Sequence, residues 1–150
     1  MTGADVPTLR RASASDWQSL RQLLIDAGLP IEDIGPTMLN DFLIAETGGS
    51  IVGVVGLQKF EKIGLLRSLV VAERARRSGL GGLLLGALEE DARTSGINQL
   101  WLLTIDADGF FARQGFEMTP REQAPVSIRQ TEEFRGLCPD DAHLMSKSFD

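Results

Sequence analysis

The sequence predicts an α/β fold in which helices flank a mixed, mostly antiparallel sheet. One observation is the order of its periodic segments: a strand, one or two helices, three strands, a helix, a strand, a helix and a final pair of strands. Another is the glycine-rich turn Arg76–Gly82, which joins the apolar run Leu65–Val71 to a pattern of leucines at helical spacing. With 150 residues, of which 43% are hydrophobic, the chain can bury one core, and we expect a single domain over residues 1–150.

The first half of the chain predicts four strands and one long helix. Ser15 is the expected N-cap of this helix, and Gly28 followed by Pro30 ends it. The segment Thr47-Gly48-Gly49-Ser50 between two apolar runs indicates a hairpin. In chain order, the predicted elements are a strand at Thr8–Ala12, the helix from Ser15 to about Ala27, a short helical segment at Ile31–Asn40 interrupted by Gly35-Pro36, and strands at Asp41–Glu46, Ile51–Phe60 and Leu65–Val71.

The second half predicts a long helix that begins directly after the glycine-rich turn. The strand Asn98–Thr104 is apolar on both faces, which favours a central position in the sheet. The predicted elements are the helix from Leu80 to about Ser95, the strand Asn98–Thr104, a short helix at Asp106–Gln114, a strand at Phe116–Thr119, a short helix opened by Pro125, and a last strand at Ala142–Phe149.

Charge and composition exclude several classes of protein. The net charge of −6 and a pI of about 4.8 argue against nucleic acid as a partner, because a phosphate backbone binds to basic surfaces. No apolar run approaches the ~20 residues that span a bilayer, and the N-terminus does not resemble a signal peptide. We therefore expect a cytoplasmic protein that uses neither a membrane nor nucleic acid as partner.

The few cysteine and histidine residues predict no metal site. Cys138 is the single cysteine, so an internal disulfide is excluded, and no cluster has zinc-like spacing. Cys138 could be a nucleophile, an arsenic ligand or a small buried residue, and the lack of an adjacent basic cluster favours burial. His143, the only histidine, lies on a predicted strand, which favours a half-buried side chain over a base.

The glycine-rich turn has the features of an anion site. Glycines allow positive φ and close approach of a ligand, and the start of a helix offers unpaired N–H groups with a partial positive charge. Together these features predict binding of phosphate or pyrophosphate. A tight turn without a ligand is the alternative. The Rossmann and P-loop patterns both fail, since the glycines lie at 79, 81 and 82 and no Gly-Lys-Ser/Thr follows.

Two motifs together resemble the GNAT superfamily of N-acetyltransferases. Arg76-Arg77-Ser78-Gly79-Leu80-Gly81 fits that superfamily's acyl-CoA loop, [Gln/Arg]-x-x-Gly-x-[Gly/Ala]. Downstream, Phe110-Phe111-Ala112-Arg113-Gln114-Gly115-Phe116 is similar to its Phe-Tyr-x-x-x-Gly-Phe element. Within the superfamily the chain most resembles the arsenic-resistance N-acetyltransferases, on the segments 52–57, 65–71, 110–116 and 137–139.

This resemblance implies an enzyme that transfers the acetyl group of acetyl-CoA to the amine of a small molecule, without a metal. The sheet would splay between its fourth and fifth strands, where the cosubstrate would bind, and a homodimer is an open alternative to a monomer. The residues that would hold the cosubstrate are Leu69, Val70 and Val71 along the pantetheine arm, Arg76, Arg77, Ser78, Gly79, Leu80, Gly81 and Gly82 at the pyrophosphate, and Phe110 and Phe111. The alternatives are a protein or peptide N-acetyltransferase and a non-catalytic acyl-CoA sensor.

Two side chains that many relatives use in catalysis are replaced. Phe111 occupies the position of the tyrosine that protonates the leaving thiolate, and the chain has no tyrosine at all. Leu65 occupies the position of the glutamate that serves as base. The remaining catalytic candidates are Ser68, beside the reactive strand, and Glu61, which could act through a water. Their alternatives are a filler residue and a solvated turn carboxylate.

Arg67 and Thr104 are the candidates on the acceptor side. A charge in an apolar strand needs a partner, so Arg67 could hold an anionic group of the substrate or form an ion pair with Glu46 or Asp41. Thr104 ends the central strand and could donate a hydrogen bond or cap the following turn.

Overall fold

The predicted fold class is confirmed. A computed structural model describes residues 7–76, 79–137 and 142–149. Its strands are β1 (Thr8–Arg11), β2 (Phe42–Thr47), β3 (Ser50–Phe60), β4 (Ile63–Val71), β5 (Gln99–Thr104), β6 (Glu117–Met118) and β7 (His143–Ser148). Over the described ranges they form a sheet in the order β1-β2-β3-β4-β5-β7-β6, in which β4 and β5 are parallel and β1–β2, β2–β3, β5–β7 and β6–β7 are antiparallel.

The helices agree with the predicted segments to within a few residues at their ends. They are α1 (Trp17–Asp26), α2 (Leu80–Thr94), α3 (Asp108–Arg113) and α4 (Val126–Arg129). Short 3₁₀ turns occupy Ala14–Asp16, Pro36–Asp41, Glu73–Ala75 and Arg121–Gln123, and a π-helical turn occupies Glu133–Leu137. No helix in the described ranges has both the length and the apolar character that a membrane crossing requires.

The chain divides into two compact units. The first takes in the described residues as far as Leu57 together with those from Ser68 to Asp91, and the second takes in Gln58–Arg67 and the described residues from Ala92 onward. Strands β3 and β4 each contribute residues to both units. The expectation of a single domain stays a prediction.

The core of the first unit joins α1, β2, β3 and β4. Leu20 and Leu24 lie on the buried face of α1, four residues apart as a helix requires. The buried residues of this core are Ala12, Leu20, Leu24, Ile34, Leu39, Phe42, Ile44, Val54 and Val70.

Two glycines of β3 allow larger groups to approach the strand closely. A Cβ atom on Gly53 would lie 2.8 Å from Cδ1 of Leu84, so the glycine lets α2 pack directly against the strand. A Cβ atom on Gly56 would lie 2.5 Å from the ring of Phe42, which is fully buried. Any larger side chain at either position would displace its neighbour, because protein interiors hold few voids.

The core of the second unit lies beside β5. Strand β5 pairs with β7 over its whole length, from Gln99 opposite Ser148 to Thr104 opposite His143. On its other side it pairs in parallel with β4, over residues 63–65 opposite residues 99–101. The buried residues of this core are Leu65, Trp101, Ala124, Ile128 and Leu144.

A charged network fixes the start of α1. The Arg10 guanidinium donates to both carboxylate oxygens of Asp16 at 2.9 Å, and its Nε donates to Glu46 at 2.9 Å. The backbone N–H of Ser13 also donates to Asp16, at 2.8 Å. The predicted cap at Ser15 is wrong, since Ser13 caps the 3₁₀ turn that leads into α1.

This network makes the stability of the fold depend on pH. Its hydrogen bonds from Arg10 hold the pKa of Asp16 at about 2, below the ordinary value of 3.8. The carboxylate therefore stabilises the fold above pH ~4, and this contribution is lost as the pH falls through about 2. Since the Arg10 side chain is 38% exposed, solvent screening limits the effect to about 1–2 kcal/mol.

We expect Asp16→Asn to lower the free energy of unfolding near pH 6 and to cost less near pH 3, which lies within the range from about 4 to about 2 over which the wild type loses this contribution. Urea unfolding at both pH values measures the difference. Asp26→Asn is the control, because Asp26 is exposed and accepts a hydrogen bond only from neutral Gln22 among the contacts described. An equal cost of Asp16→Asn at both pH values would contradict the assignment.

Candidate active site

The start of α2 has the geometry predicted for an anion site. The first bond of the helix runs from the N–H of Leu83 to the carbonyl oxygen of Gly79 at 3.1 Å. The N–H groups of residues 80–82 precede this bond and have no acceptor within the helix. Gly79 has φ +80°, a left-handed conformation that favours glycine. No acidic residue lies in the first turn of α2 to oppose a bound anion.

Arg76, four residues before the start of α2, is held at the end of β4. Its Nε donates to the carbonyl oxygen of Val71 at 3.0 Å, so the side chain is held against the end of β4 while remaining exposed. The next backbone link, from the N–H of Ala72 to the carbonyl oxygen of Val52 at 2.8 Å, fixes the exit of the strand. Arg77 and Ser78, the other predicted residues of the loop, lie outside the described residues.

Strand β4 contains a left-handed residue just before the segment predicted to bind pantetheine. Ser68 has φ +61° and is 8% exposed. Such a conformation within a strand interrupts the regular ladder and re-aims the residues that follow, as in a β-bulge. Leu69 and Val71 are half-buried here, whereas Val70 packs into the core of the first unit.

The second predicted motif forms an aromatic cluster in the second unit. Phe111 is 4% exposed, and its ring meets Phe110 at 5.1 Å and Phe116 at 5.6 Å, both in edge-to-face arrangements. The Lys147 ammonium group lies 5.7 Å from the centre of the Phe116 ring. This packing fits an apolar role for Phe111.

Arg67 lies in a buried ion pair that the sequence did not reveal. Its Nη2 lies 3.1 Å from Oε2 of Glu133, and its Nη1 donates to Oε1 of Gln58 at 3.4 Å. The Arg67 side chain has no exposed surface and that of Glu133 is 6% exposed. A buried arginine implies an acid somewhere, but nothing in the sequence says which one. Glu46, one of the two partners that we considered, binds Arg10.

The other candidates lie in ordinary structural positions. Thr104 accepts a hydrogen bond from the N–H of Ala107 at 3.0 Å and so caps the turn after β5. Glu61 is exposed in the turn between β3 and β4, with φ +58°. His143 is half-buried opposite Thr104, and Cys138 lies outside the described residues. Within the described ranges, no group of three His, Cys, Asp or Glu side chains could hold a metal ion.

A family model confirms the superfamily that these motifs indicated. The acetyltransferase (GNAT) family model matches residues 11–116, which include β4, the loop and α3. The chain belongs to this family. The model thus covers both motifs, and the acetyl-CoA cosubstrate expected from the sequence fits the family.

The curated relatives include acetyltransferases of amino acids. An uncharacterized N-acetyltransferase of Chlorobaculum tepidum is 32% identical over 91 residues, which are 60% of this chain and 58% of that protein. An amino-acid acetyltransferase of Neisseria meningitidis is 29% identical over 94 residues, 61% of this chain and 22% of that protein. The chain therefore spans less than two thirds of the length of these relatives.

Solved structures share the fold at low sequence identity. N-acetylglutamate synthase of Neisseria gonorrhoeae, complexed with coenzyme A and N-acetyl-glutamate, superposes with a TM-score of 0.84 at 23% identity, over 96% of this chain and 35% of that one. Rv2747 of Mycobacterium tuberculosis, in complex with CoA and NLQ, gives 0.80 at 21% identity, over 95% and 99% of the two chains. Both superpositions support the GNAT fold.

Replacement of Gly81 tests the loop. Gly81→Val places a branched side chain on the second residue of α2, where a pyrophosphate would approach the backbone, and we expect the affinity for CoA to fall at least ~10-fold. Calorimetry with CoA measures the affinity.

Gly86→Val is the matched control for this variant. Gly86 lies on the exposed side of the same helix, and a Cβ atom there meets nothing within 4 Å. Both variants carry the same change in helix propensity, so only a site at the loop separates them. Equal CoA affinities in the two variants would show that the loop does not bind the cosubstrate.

Phe111→Tyr tests the packing role of the aromatic cluster. The added hydroxyl enters a buried site and costs about 1–3 kcal/mol of stability if it stays unpaired. We expect kcat to be unchanged, or raised if protonation of the thiolate limits turnover. Phe149→Tyr, at a half-buried ring that stacks with Arg93 and lies outside both motifs, should change neither Tm nor kcat. A large loss of kcat in Phe111→Tyr with CoA still bound would reveal a catalytic need for the apolar ring.

Proposed function

We propose that this protein transfers the acetyl group of acetyl-CoA to the amine of an amino acid or a closely related small molecule. The observation that carries this proposal is the start of α2 in a chain of the GNAT family, where left-handed Gly79 precedes N–H groups that have no acceptor within the helix, a geometry that suits an anion. The pyrophosphate of CoA would bind there, with Arg76 adding positive charge.

The names of the relatives favour an amino acid as the acceptor. Several curated relatives are amino-acid acetyltransferases, and a solved neighbour was complexed with N-acetyl-glutamate. The arsenic link suggested by the sequence resemblance stays a prediction, and amino-acid analogues that carry arsenic remain candidate acceptors. None of the relatives reported above is named for arsenic resistance.

The reaction would be a direct attack of the neutral amine on the thioester carbonyl. Holding the two reactants in contact supplies up to about 7–11 kcal/mol, and a backbone N–H near Leu69 would stabilise the developing oxyanion. The amine then loses a proton, and the thiolate of CoA leaves and gains one. Phe111 can donate none, so a water, a hydroxyl or the ammonium nitrogen of the tetrahedral intermediate must supply this proton.

Ser68 is the better of the two acid–base candidates. It lies next to Leu69 on β4, and its hydroxyl could relay a proton between the amine and solvent. Glu61 lies at the opposite end of β4, exposed in a turn, and would reach the amine only through several waters.

We expect a turnover assay to identify the acceptor. Acetyl-CoA is mixed with a panel of amino acids, arsenic-containing amino-acid analogues, peptides with free N-termini and simple amines, and release of CoA thiol is followed. Amino acids or their analogues should release thiol faster than peptides, with a product heavier by one acetyl group. Gly81→Val, assayed at an acetyl-CoA concentration below the Kd expected for the variant, provides the control with weakened cosubstrate binding.

Two outcomes would contradict the proposal. Turnover of peptides alone would indicate a protein N-acetyltransferase. CoA binding in calorimetry without thiol release from any acceptor would indicate a non-catalytic acyl-CoA sensor.

A further inference from the structure

Two buried charged residues of the second unit, Arg67 and Glu133, form a small cluster with the half-buried Gln58, which we call the Arg67 cluster. It joins β3, β4 and the π-helical turn Glu133–Leu137. Gln58 precedes Arg67 by only nine residues, whereas Glu133 lies far along the chain, so the ion pair fixes a long-range arrangement of backbone.

A buried ion pair is a costly way to fill a core. The desolvation of two charges often exceeds their attraction, and well-packed apolar residues of similar volume give equal or greater stability. The side chains of Arg67 and Glu133 have 0% and 6% of their surface exposed, so this cost applies to both. Stability alone therefore does not explain the pair. We therefore consider a role for the pair in fixing the orientation of β4.

The position of Arg67 on β4 suggests what the ion pair orients. Arg67 directly precedes Ser68, whose φ of +61° is a strained conformation for a residue other than glycine. Such conformations persist only when their surroundings fix them. A guanidinium held from two sides fixes the residue before Ser68.

The other end of the pair lies on a segment with anchors of its own. Thr131 Oγ1 donates to the carbonyl oxygen of Ile128 at 2.7 Å and accepts from the N–H of Phe134 at 3.2 Å. Arg121 stacks on the Phe134 ring at 4.6 Å and donates to the carbonyl oxygen of Ala142 at 3.1 Å. Glu133 is thus presented by a firmly held turn.

We propose that Glu133 and Arg67 are a positioning pair, which holds β4 in the conformation that the acetyl transfer needs. The inference rests on the proposed function. The pair does not bind the acceptor, because the guanidinium has no exposed surface and is already neutralised by a carboxylate. It acts through the backbone of β4 on the left-handed residue and on the pantetheine segment that follows.

The double variant Arg67→Met with Glu133→Leu distinguishes a role in positioning β4 from a contribution to the stability of the fold. Its two apolar side chains fill a similar volume, so Tm should stay within a few degrees of the wild type or rise. We expect kcat to fall at least ~10-fold while the acceptor KM changes less than ~3-fold. Glu133→Gln, which keeps the shape and one acceptor oxygen, should give a smaller loss of kcat and serves as the test if the double variant does not fold.

Arg10→Met is the matched control. It breaks a partly exposed arginine pair in the first unit, and it should lower Tm without changing kcat. If the double variant, or Glu133→Gln in its place, retains kcat within about 2-fold of the wild type, the pair is structural only and the proposal is overturned.

Hydrogen exchange tests the pair independently of turnover. Amides of β4 and of residues 126–137 should exchange faster in the double variant than in the wild type, or in Glu133→Gln if the double variant does not fold, at unchanged Tm. If the wild type lacks acetyltransferase activity but exchange accelerates, the proposed function fails and the positioning of β4 stands. Unchanged exchange would overturn the positioning role whether or not the enzyme turns over.

Discussion

The backbone of β4 is the constraint on which the candidate site depends. A serine with positive φ within a strand costs of order 1–3 kcal/mol. The chain holds it by burial on both sides: Arg67 before it is locked in an ion pair, and Val70 after it belongs to a core. Packed neighbours on both sides therefore hold Ser68 in its strained conformation. They also fix the direction of residues 69–71, the segment predicted to bind pantetheine.

The chemistry that remains available is largely chemistry of the backbone. With leucine and phenylalanine at the positions where many relatives carry an acid and a base, side chains offer little proton transfer. Helix N–H groups and strand N–H groups, in contrast, need no particular side chain, and they are preorganised at no cost during the reaction. An enzyme of this kind depends on geometry, and its activity should be sensitive to small displacements of β4 and α2.

Local patterns predicted most of the elements, and contacts between distant residues account for the rest. A glycine at position 79 predicts a left-handed conformation, and the observed φ of +80° agrees with this prediction. The positive φ of Ser68 cannot be predicted from the sequence, because tertiary packing imposes this conformation. The partner of Arg67 could not be predicted from the sequence for the same reason. Local capping rules favoured Ser15 as the cap of α1, but the Arg10 network holds the chain at Asp16 instead.

Gly53 affects how α2, the helix that follows the predicted cosubstrate loop, packs against the sheet. The absent side chain lets Leu84 of α2 lie against β3, so the height of α2 over the sheet is set by the summed volume of these two positions. Substitutions at residues 53 and 84 should therefore compensate each other: alanine at position 53 would fit if position 84 carried a residue smaller than leucine. Two positions outside the predicted cosubstrate loop thereby affect how closely α2 packs against β3.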